Sequence, residues 1–213
     1  MTSLSELAYE KIKQKIVDGA YLPGDMLSEN QLAKELGMSR TPIRSAISKL
    51  EEQGIFASFK NKGILVKELA RKDMLEMLEL IYAMVVYTFE TRNPEDLYVD
   101  TEALQHHLQI QKQAKAVNDY TLYVTHSQLF IQTLIEAANN SAMVQLIAKN
   151  HETSYLVGVI NYNLNPQQTH YSAVKVNEQL YEAVIHHQFD KIKSILINHH
   201  ASVRLRSFNE RRI

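Results

Sequence analysis

The run Glu29–Ser48 reads ENQLAKELGMSRTPIRSAIS, and its spacing decides the front of the molecule. Ser28 and Gln31 are the two ends of a capping box, which satisfies amides left without partners where a helix begins. Leu32, Ala33 and Leu36 make a short apolar stripe, and Gly37 predicts a stop after about two turns. Ser39 is placed to cap a further helix, with Pro42 tolerated in its first turn. Ile43, Ala46, Ile47 and Leu50 fall on one side at helical spacing, and Gly54 ends the element. Ala33 permits close approach, Gly37 makes the turn, and Ile43 with Ile47 packs the second helix on the first. A helix-turn-helix requires those features.

Upstream, Ser3 and Glu6 form another capping box, and Leu4, Ala8, Ile12 and Ile16, with Leu7 beside them, predict one apolar helical face ending at Gly19. Downstream, the β-prone runs Ile55–Phe59 and Ile64–Val66 are joined by Lys60-Asn61-Lys62-Gly63, which reads as a hairpin. From Asp73 the pattern is helical almost throughout. Apolar stripes run through Leu75 and Leu78, Leu104 and Leu108, Phe130 and Leu134, Met143 and Ile147, Leu180 and Val184, and Ile192 and Leu196. Breaks fall near Asn93-Pro94, Asn118-Asp119, Asn139-Asn140 and Asn165-Pro166, which predicts about six helices in an antiparallel bundle. The expected fold is therefore mostly α. A winged helix-turn-helix of three helices and a β-hairpin (residues 1–70) precedes an all-helical domain (residues 71–213).

At about 100° per residue, Thr41, Arg44, Ser45 and Ser48 lie away from the apolar stripe of the third helix, with Arg40 on the flank near its amino end. Hydroxyls and a helix amino terminus bind phosphate, and arginine pairs with guanine through two hydrogen bonds in the major groove. Lys60 and Lys62, beside Gly63, stand at the wing tip where they reach a backbone or minor groove. A polar helix face is usually only a solvated one. It is the order and spacing of all these features that point to double-stranded DNA.

The net charge of −1 argues against a nucleic-acid binder, but residues 1–73 hold 12 Lys+Arg against 10 Asp+Glu, while residues 74–213 hold 11 against 14. The basic excess thus sits in front. Cysteine is absent, which excludes disulfides, thiolate metal sites and cysteine nucleophiles together and fits a reducing cytoplasm. No signal peptide is visible in Met1–Tyr9, and the apolar stretch Leu78–Phe89 is too short and polar to span a bilayer. No Gly-rich phosphate loop, HExxH or nucleophile elbow is present, so no enzyme is expected.

The stretch Leu27–Arg44, with Ala46 and Leu50-Glu51 to Gly54, resembles the GntR family of bacterial transcription regulators, as do Tyr9–Gly19 and Leu22-Pro23-Gly24-Asp25 upstream. The resemblance covers about residues 4–69. The helical remainder resembles the ligand-sensing (FCD-type) domain of the FadR subfamily: Asn177–His199 follows its last two helices, and Phe130 with Asn140 fits its central helix. The resemblance implies a cytoplasmic homodimer on a short palindromic operator, a repressor in action, answering to an effector such as an organic acid or similar metabolite. It places DNA contacts on Arg40, Thr41 and Arg44, with Ser39 at phosphate and Gly63 in the wing. Asn30 stands where many relatives carry arginine, and offers a hydrogen bond without charge.

Many members of that subfamily hold a divalent metal with an Asp, a His four residues later and two further His. The corresponding positions here are Ser127, Ile131, Asn177 and His199, which retain one such ligand. One imidazole does not hold a metal alone, so no metal cofactor is expected. The pairs His106-His107, His186-His187 and His199-His200 do not supply a substitute, because helix neighbours point about 100° apart. Ser127, Ile131, Asn177 and His199 are expected instead to line a cavity for an organic ligand. The alternative is packed core, and the sequence does not separate the two.

Overall fold

The computed structural model describes residues 3–68, 71–164 and 171–209. The chain divides into two compact units, Met1–Ala70 with Leu156–Pro166, and Arg71–Tyr155 with Gln167–Ile213. The sequence places Leu156–Pro166 in the rear half, whereas the structure groups it with the front. Periodicity shows that a helix has an apolar stripe, not which neighbour covers it. The expected break at Asn165-Pro166 lies outside the described residues.

In the first unit, α1 (Leu4–Val17) begins at Ser3, whose Oγ accepts the Glu6 amide at 3.1 Å. Its buried face is Ala8, Tyr9, Ile12 and Ile16. Leu4 and Leu7, expected on that face, are 66% and 41% exposed. Tyr9 takes the core position instead. Its hydroxyl exchanges hydrogen bonds with Gln53 (2.9 and 3.0 Å), and Lys49 Nζ lies 3.7 Å from its ring centre. A phenol can bury its ring while its oxygen finds a partner at the edge. Gly19 follows with φ +72°, in the left-handed region.

The helix α2 (Glu29–Leu36) starts at Ser28, whose Oγ accepts the Gln31 amide at 3.1 Å, and stops at Gly37 (φ +62°). The helix α3 (Arg40–Glu52) buries Ile43, Ala46, Ile47 and Leu50, as the spacing requires. A small antiparallel sheet completes the unit: β1 (Met26–Leu27), β2 (Phe56–Phe59) and β3 (Gly63–Val66), in the order β1-β3-β2. The hairpin β2–β3 is the predicted wing. The strand β1, pairing Leu27 with Ile64 and Met26 with Leu65, is an addition. Two residues are too few for alternation to reveal a strand.

The second unit contains α4 (Arg71–Glu90), a 3-10 turn (Pro94–Asp96), α5 (Thr101–Ala116), α6 (Tyr120–Glu136), most of α7 (Ser141–Leu164), α8 (Ala173–Ile185) and α9 (Asp190–Asn209). Short acidic and amide side chains set the starts. Asp100 accepts the Ala103 amide, Asp119 the Leu122 amide, and Asn140 the amides of Ala142 and Met143. Asn118 and Asn139 turn the chain at positive φ just before two of them. Val85, Phe89, Leu104, Phe130, Ile147, Leu180 and Leu196 anchor a core shared by all six of these helices. A second cluster forms where the Tyr123 hydroxyl accepts the Ala173 amide at 2.9 Å, fixing the start of α8.

Candidate nucleic-acid interface and cavity

The two faces of α3 are cleanly separated. Its apolar side is buried, and Arg40, Thr41, Arg44, Ser45 and Ser48 are all exposed. No acid stands in the first turn of the helix. Ser39 occupies the cap position with extended backbone (φ −70°, ψ 165°), yet its hydroxyl makes no cap hydrogen bond, contrary to the expected capping role. The positive end of the helix dipole and the Ser39 hydroxyl therefore lie at one exposed point, an arrangement suited to an anion.

Glu29, which the sequence did not single out, bears on this face. Its carboxylate accepts from Arg44 Nε at 2.8 Å across the turn. Such an exposed pair contributes little stability. Its effect is positional, because it occupies Nε and leaves both Nη groups of a 63%-exposed side chain for a planar partner. The pair bridges fifteen residues, so no helical spacing rule exposes it. Asn30, on the first turn of α2, is exposed beside it in sequence.

The loop leading into β1 is also pinned to α2. The buried Tyr21 donates to Glu35 at 2.6 Å, and Gln31 Nε2 donates to the other Glu35 oxygen at 3.0 Å. The Tyr21 hydrogen bond, then that of Gln31, hold the Glu35 carboxyl below its ordinary 4.5.

Lys60 and Lys62 are exposed on the wing turn, which Asn61 takes at φ +62° and the Lys62 amide closes onto the Phe59 carbonyl at 3.0 Å. Gly63 has a structural reason for its identity. Its φ is +109°, and a Cβ there would lie 2.5 Å from the Leu27 carbonyl oxygen. The close approach of β1 to β3 thus demands glycine.

The second unit holds a half-open cavity of about 150 Å³. Ser127, Ile131, Asn177 and His199, the four positions singled out in the sequence, all line it. Leu78, Ile81, Ile147 and Val176 add apolar wall, and Tyr82, Gln128, Asn150, His151 and Ser154 add polar groups. The residues from α7 carried no signal in the sequence beyond helical periodicity. Asn177 is buried and donates through Nδ2 to the buried Gln111 Oε1 at 3.1 Å. Tyr82 is hydrogen-bonded to His199 Nδ1, and burial pushes the Tyr82 phenol up, so it stays protonated. Burial likewise pushes the His151 imidazole below 6.5.

This donor set does not fit a divalent metal. Of the four aligned side chains only His199 is an imidazole, isoleucine offers no lone pair, and Nδ1 of His199 is engaged by Tyr82. Among the described residues no group of three or more His, Asp or Glu side chains is arranged to hold a metal ion. His126, next in sequence to Ser127, meets His107 instead, with their Nδ1 atoms 3.1 Å apart.

Among the described residues no helix is long and apolar enough to cross a membrane. Residues 4–66 match the family described as bacterial regulatory proteins, gntR family, and residues 73–202 match the FCD domain. The chain is similar to the gluconate operon transcriptional repressor of Bacillus subtilis (strain 168), at 26% identity over 178 residues, covering 82% of this chain and 72% of the repressor. It is also similar to the HTH-type transcriptional regulator YdhC of Bacillus subtilis (strain 168), at 25% over 158 residues, covering 72% and 69%. A GntR transcriptional regulator from Rhodococcus sp. RHA1 shares its fold, with TM-score 0.74 at 20% identity over 93% of this chain and 96% of that one. With a winged helix-turn-helix ahead of an FCD domain, this chain belongs to the GntR family of bacterial DNA-binding transcription regulators.

Proposed function

We propose that this regulator is a metabolite-responsive repressor that binds a palindromic operator as a homodimer in the bacterial cytoplasm. In this reading α3 enters the major groove, Arg40 and Arg44 reach base edges, and Thr41, Ser45 and Ser48 contact base edges or phosphate. Ser39 takes a phosphate at the helix start, Asn30 hydrogen-bonds the flanking backbone, and Lys60 and Lys62 carry the wing along the adjacent groove. Gly63 keeps that wing close to β1. The observation that carries the reading is the exposed stripe from Arg40 to Ser48, which carries no acid of its own, with Arg44 braced by Glu29 from α2.

A small organic metabolite occupies the cavity lined by Ser127, Ile131, Asn177 and His199 and alters operator affinity. A cavity of this size, walled by apolar side chains with a few polar groups among them, favours a sensor over a module that only dimerises. The chain acts without a bound metal and without enzymatic turnover. Elemental analysis of the purified protein checks the first, since stoichiometric zinc, nickel or manganese would overturn it. Capture of fragments from the source genome, followed by footprinting, checks the rest. The expected result is protection of a two-fold symmetric site. Failure to retain any specific duplex at low salt, with candidate metabolites supplied, sinks the reading.

A further inference from the structure

We infer that the cavity of the second unit binds an uncharged molecule about the size of a six-membered ring, and discriminates against carboxylates. The inference rests on reading that cavity as an effector site, and departs from the organic acid that the family resemblance implies.

Charge is the first ground. The side chains lining the cavity include no Lys, Arg, Asp or Glu. Its polar groups are hydroxyls, amides and imidazoles. His151 is held neutral near pH 7 by burial, and Tyr82, which engages His199, keeps its proton for the same reason. A carboxylate placed there loses its water and gains no opposite charge to compensate, which is strongly unfavourable. An uncharged hydroxyl or amide loses far less and recovers it with one or two hydrogen bonds.

The direction of those hydrogen bonds is the second ground. Asn177 uses its Nδ2 on Gln111, and Asn150 uses its Nδ2 on the Leu146 carbonyl at 2.7 Å. Each amide therefore has one N–H committed within the protein and keeps one N–H and its oxygen. A group that both gives and takes a hydrogen bond suits a ligand hydroxyl or amide, which does the same, whereas a carboxylate has only lone pairs to present. Size is the third ground: an apolar cavity of about 150 Å³ holds a molecule of benzene's dimensions, so roughly six to nine non-hydrogen atoms fit here.

The test titrates the full-length protein by calorimetry and thermal unfolding with matched probes at pH 7.5: benzyl alcohol and benzamide against benzoate, and isobutanol against isobutyrate. The neutral member of each pair is expected to bind at least about tenfold more tightly than its acid. Ile131→Phe, which fills the space, should abolish the binding. Gln128→Arg, which adds a cation to the lining, should reverse the preference toward benzoate and keeps the test open if the first variant does not fold. Equal or tighter binding of the carboxylates by the wild-type chain overturns the inference, as does binding of no probe at all or binding that Ile131→Phe leaves untouched. Operator affinity is measured beside each titration. A neutral probe that binds in the cavity but leaves operator affinity unchanged counts for the cavity chemistry and against the sensor reading.

Discussion

The exposed face of α3 and the cavity of the second unit use opposite physics. The first keeps its charges, Arg40 and Arg44, in water beside short hydroxyls. The second shields its occupant from much of the water and has no charged side chain in its lining apart from what a histidine can acquire. Charge is inexpensive where water remains and costly where it is withdrawn. Recognition of DNA through α3 should therefore weaken steeply with salt, whereas occupancy of the cavity, driven by apolar burial, should barely respond to it.

The largest effect expected is at the wing. Gly63→Val forces a side chain against the Leu27 carbonyl oxygen at a backbone angle that valine resists. Strain and overpacking together cost about 3 kcal/mol or more. Denaturant unfolding should show the first unit destabilised and operator binding lost, with cavity ligands still bound. Loss of both activities together would break the separation. Next comes Arg44→Ala, which should cost about 1–3 kcal/mol of operator affinity, concentrated at one base pair. Glu29→Gln should cost less, about 0.5 kcal/mol, because Arg44 keeps its charge and loses only its brace. Binding measured across operator variants separates the two, and normal affinity in the Arg44 variant would contradict the proposed docking. Lys62→Ala should weaken all sequences alike and lower the slope of affinity against salt by about one.

The two regions also differed in how openly the sequence declared them. The front is written in local rules: the Ser28 cap on the Gln31 amide, Gly37 after Leu36, and the stripe Ile43 to Leu50 each act within a few residues and hold in the structure, although the Gln31 side chain turns to Glu35. What escaped there is long-range or very short. Glu29 meets Arg44 across a turn, β1 is two residues long, and Tyr9 displaces Leu7 from the core by finding Gln53. The six rear helices were legible because Asn and Asp mark their ends, as at Asn118-Asp119 and Asn139-Asn140. Their mutual packing was not. Ser127, Ile131, Asn177 and His199 come together only through the family alignment, and His151 and Ser154 join them from α7 with no pattern that singles them out. A cavity is a property of neighbours in space, and periodicity reports only one helix at a time.

The smallest effect is also the one that compares the two units in a single experiment. In the second, burial holds His107, His126 and His151 below the ordinary 6.5. At His107 the neighbouring His126 and His106 add to the lowering, and Glu136 and Asp100 oppose it without reversing it. The facing Nδ1 atoms of His107 and His126 require one donor and one acceptor, so a further proton removes their hydrogen bond. As pH falls through 6.5 the unfolded chain takes up protons that the folded unit refuses. Stability is therefore lost between 6.5 and the lower folded values, with no further loss beneath them. Glu35 of the first unit sits below 4.5 and stays ionised where its unfolded counterpart is already protonated, so its contribution is lost only as pH falls from about 4.5 through its folded value. At a pH of about 5.5, then, the second unit should have weakened while the Glu35 contribution to the first is intact. Hydrogen exchange read by mass spectrometry, comparing peptides from α5 and α6 with those from α2 and α3 at neutral and mildly acid pH, resolves the difference. His107→Gln should shrink the acid loss in α5 and α6, because it removes both a depressed imidazole and the charge that His126 would meet. Equal loss of protection in the two units over that range, or a loss that His107→Gln does not alter, would mean that these half-buried imidazoles do not set the pH response of the second unit.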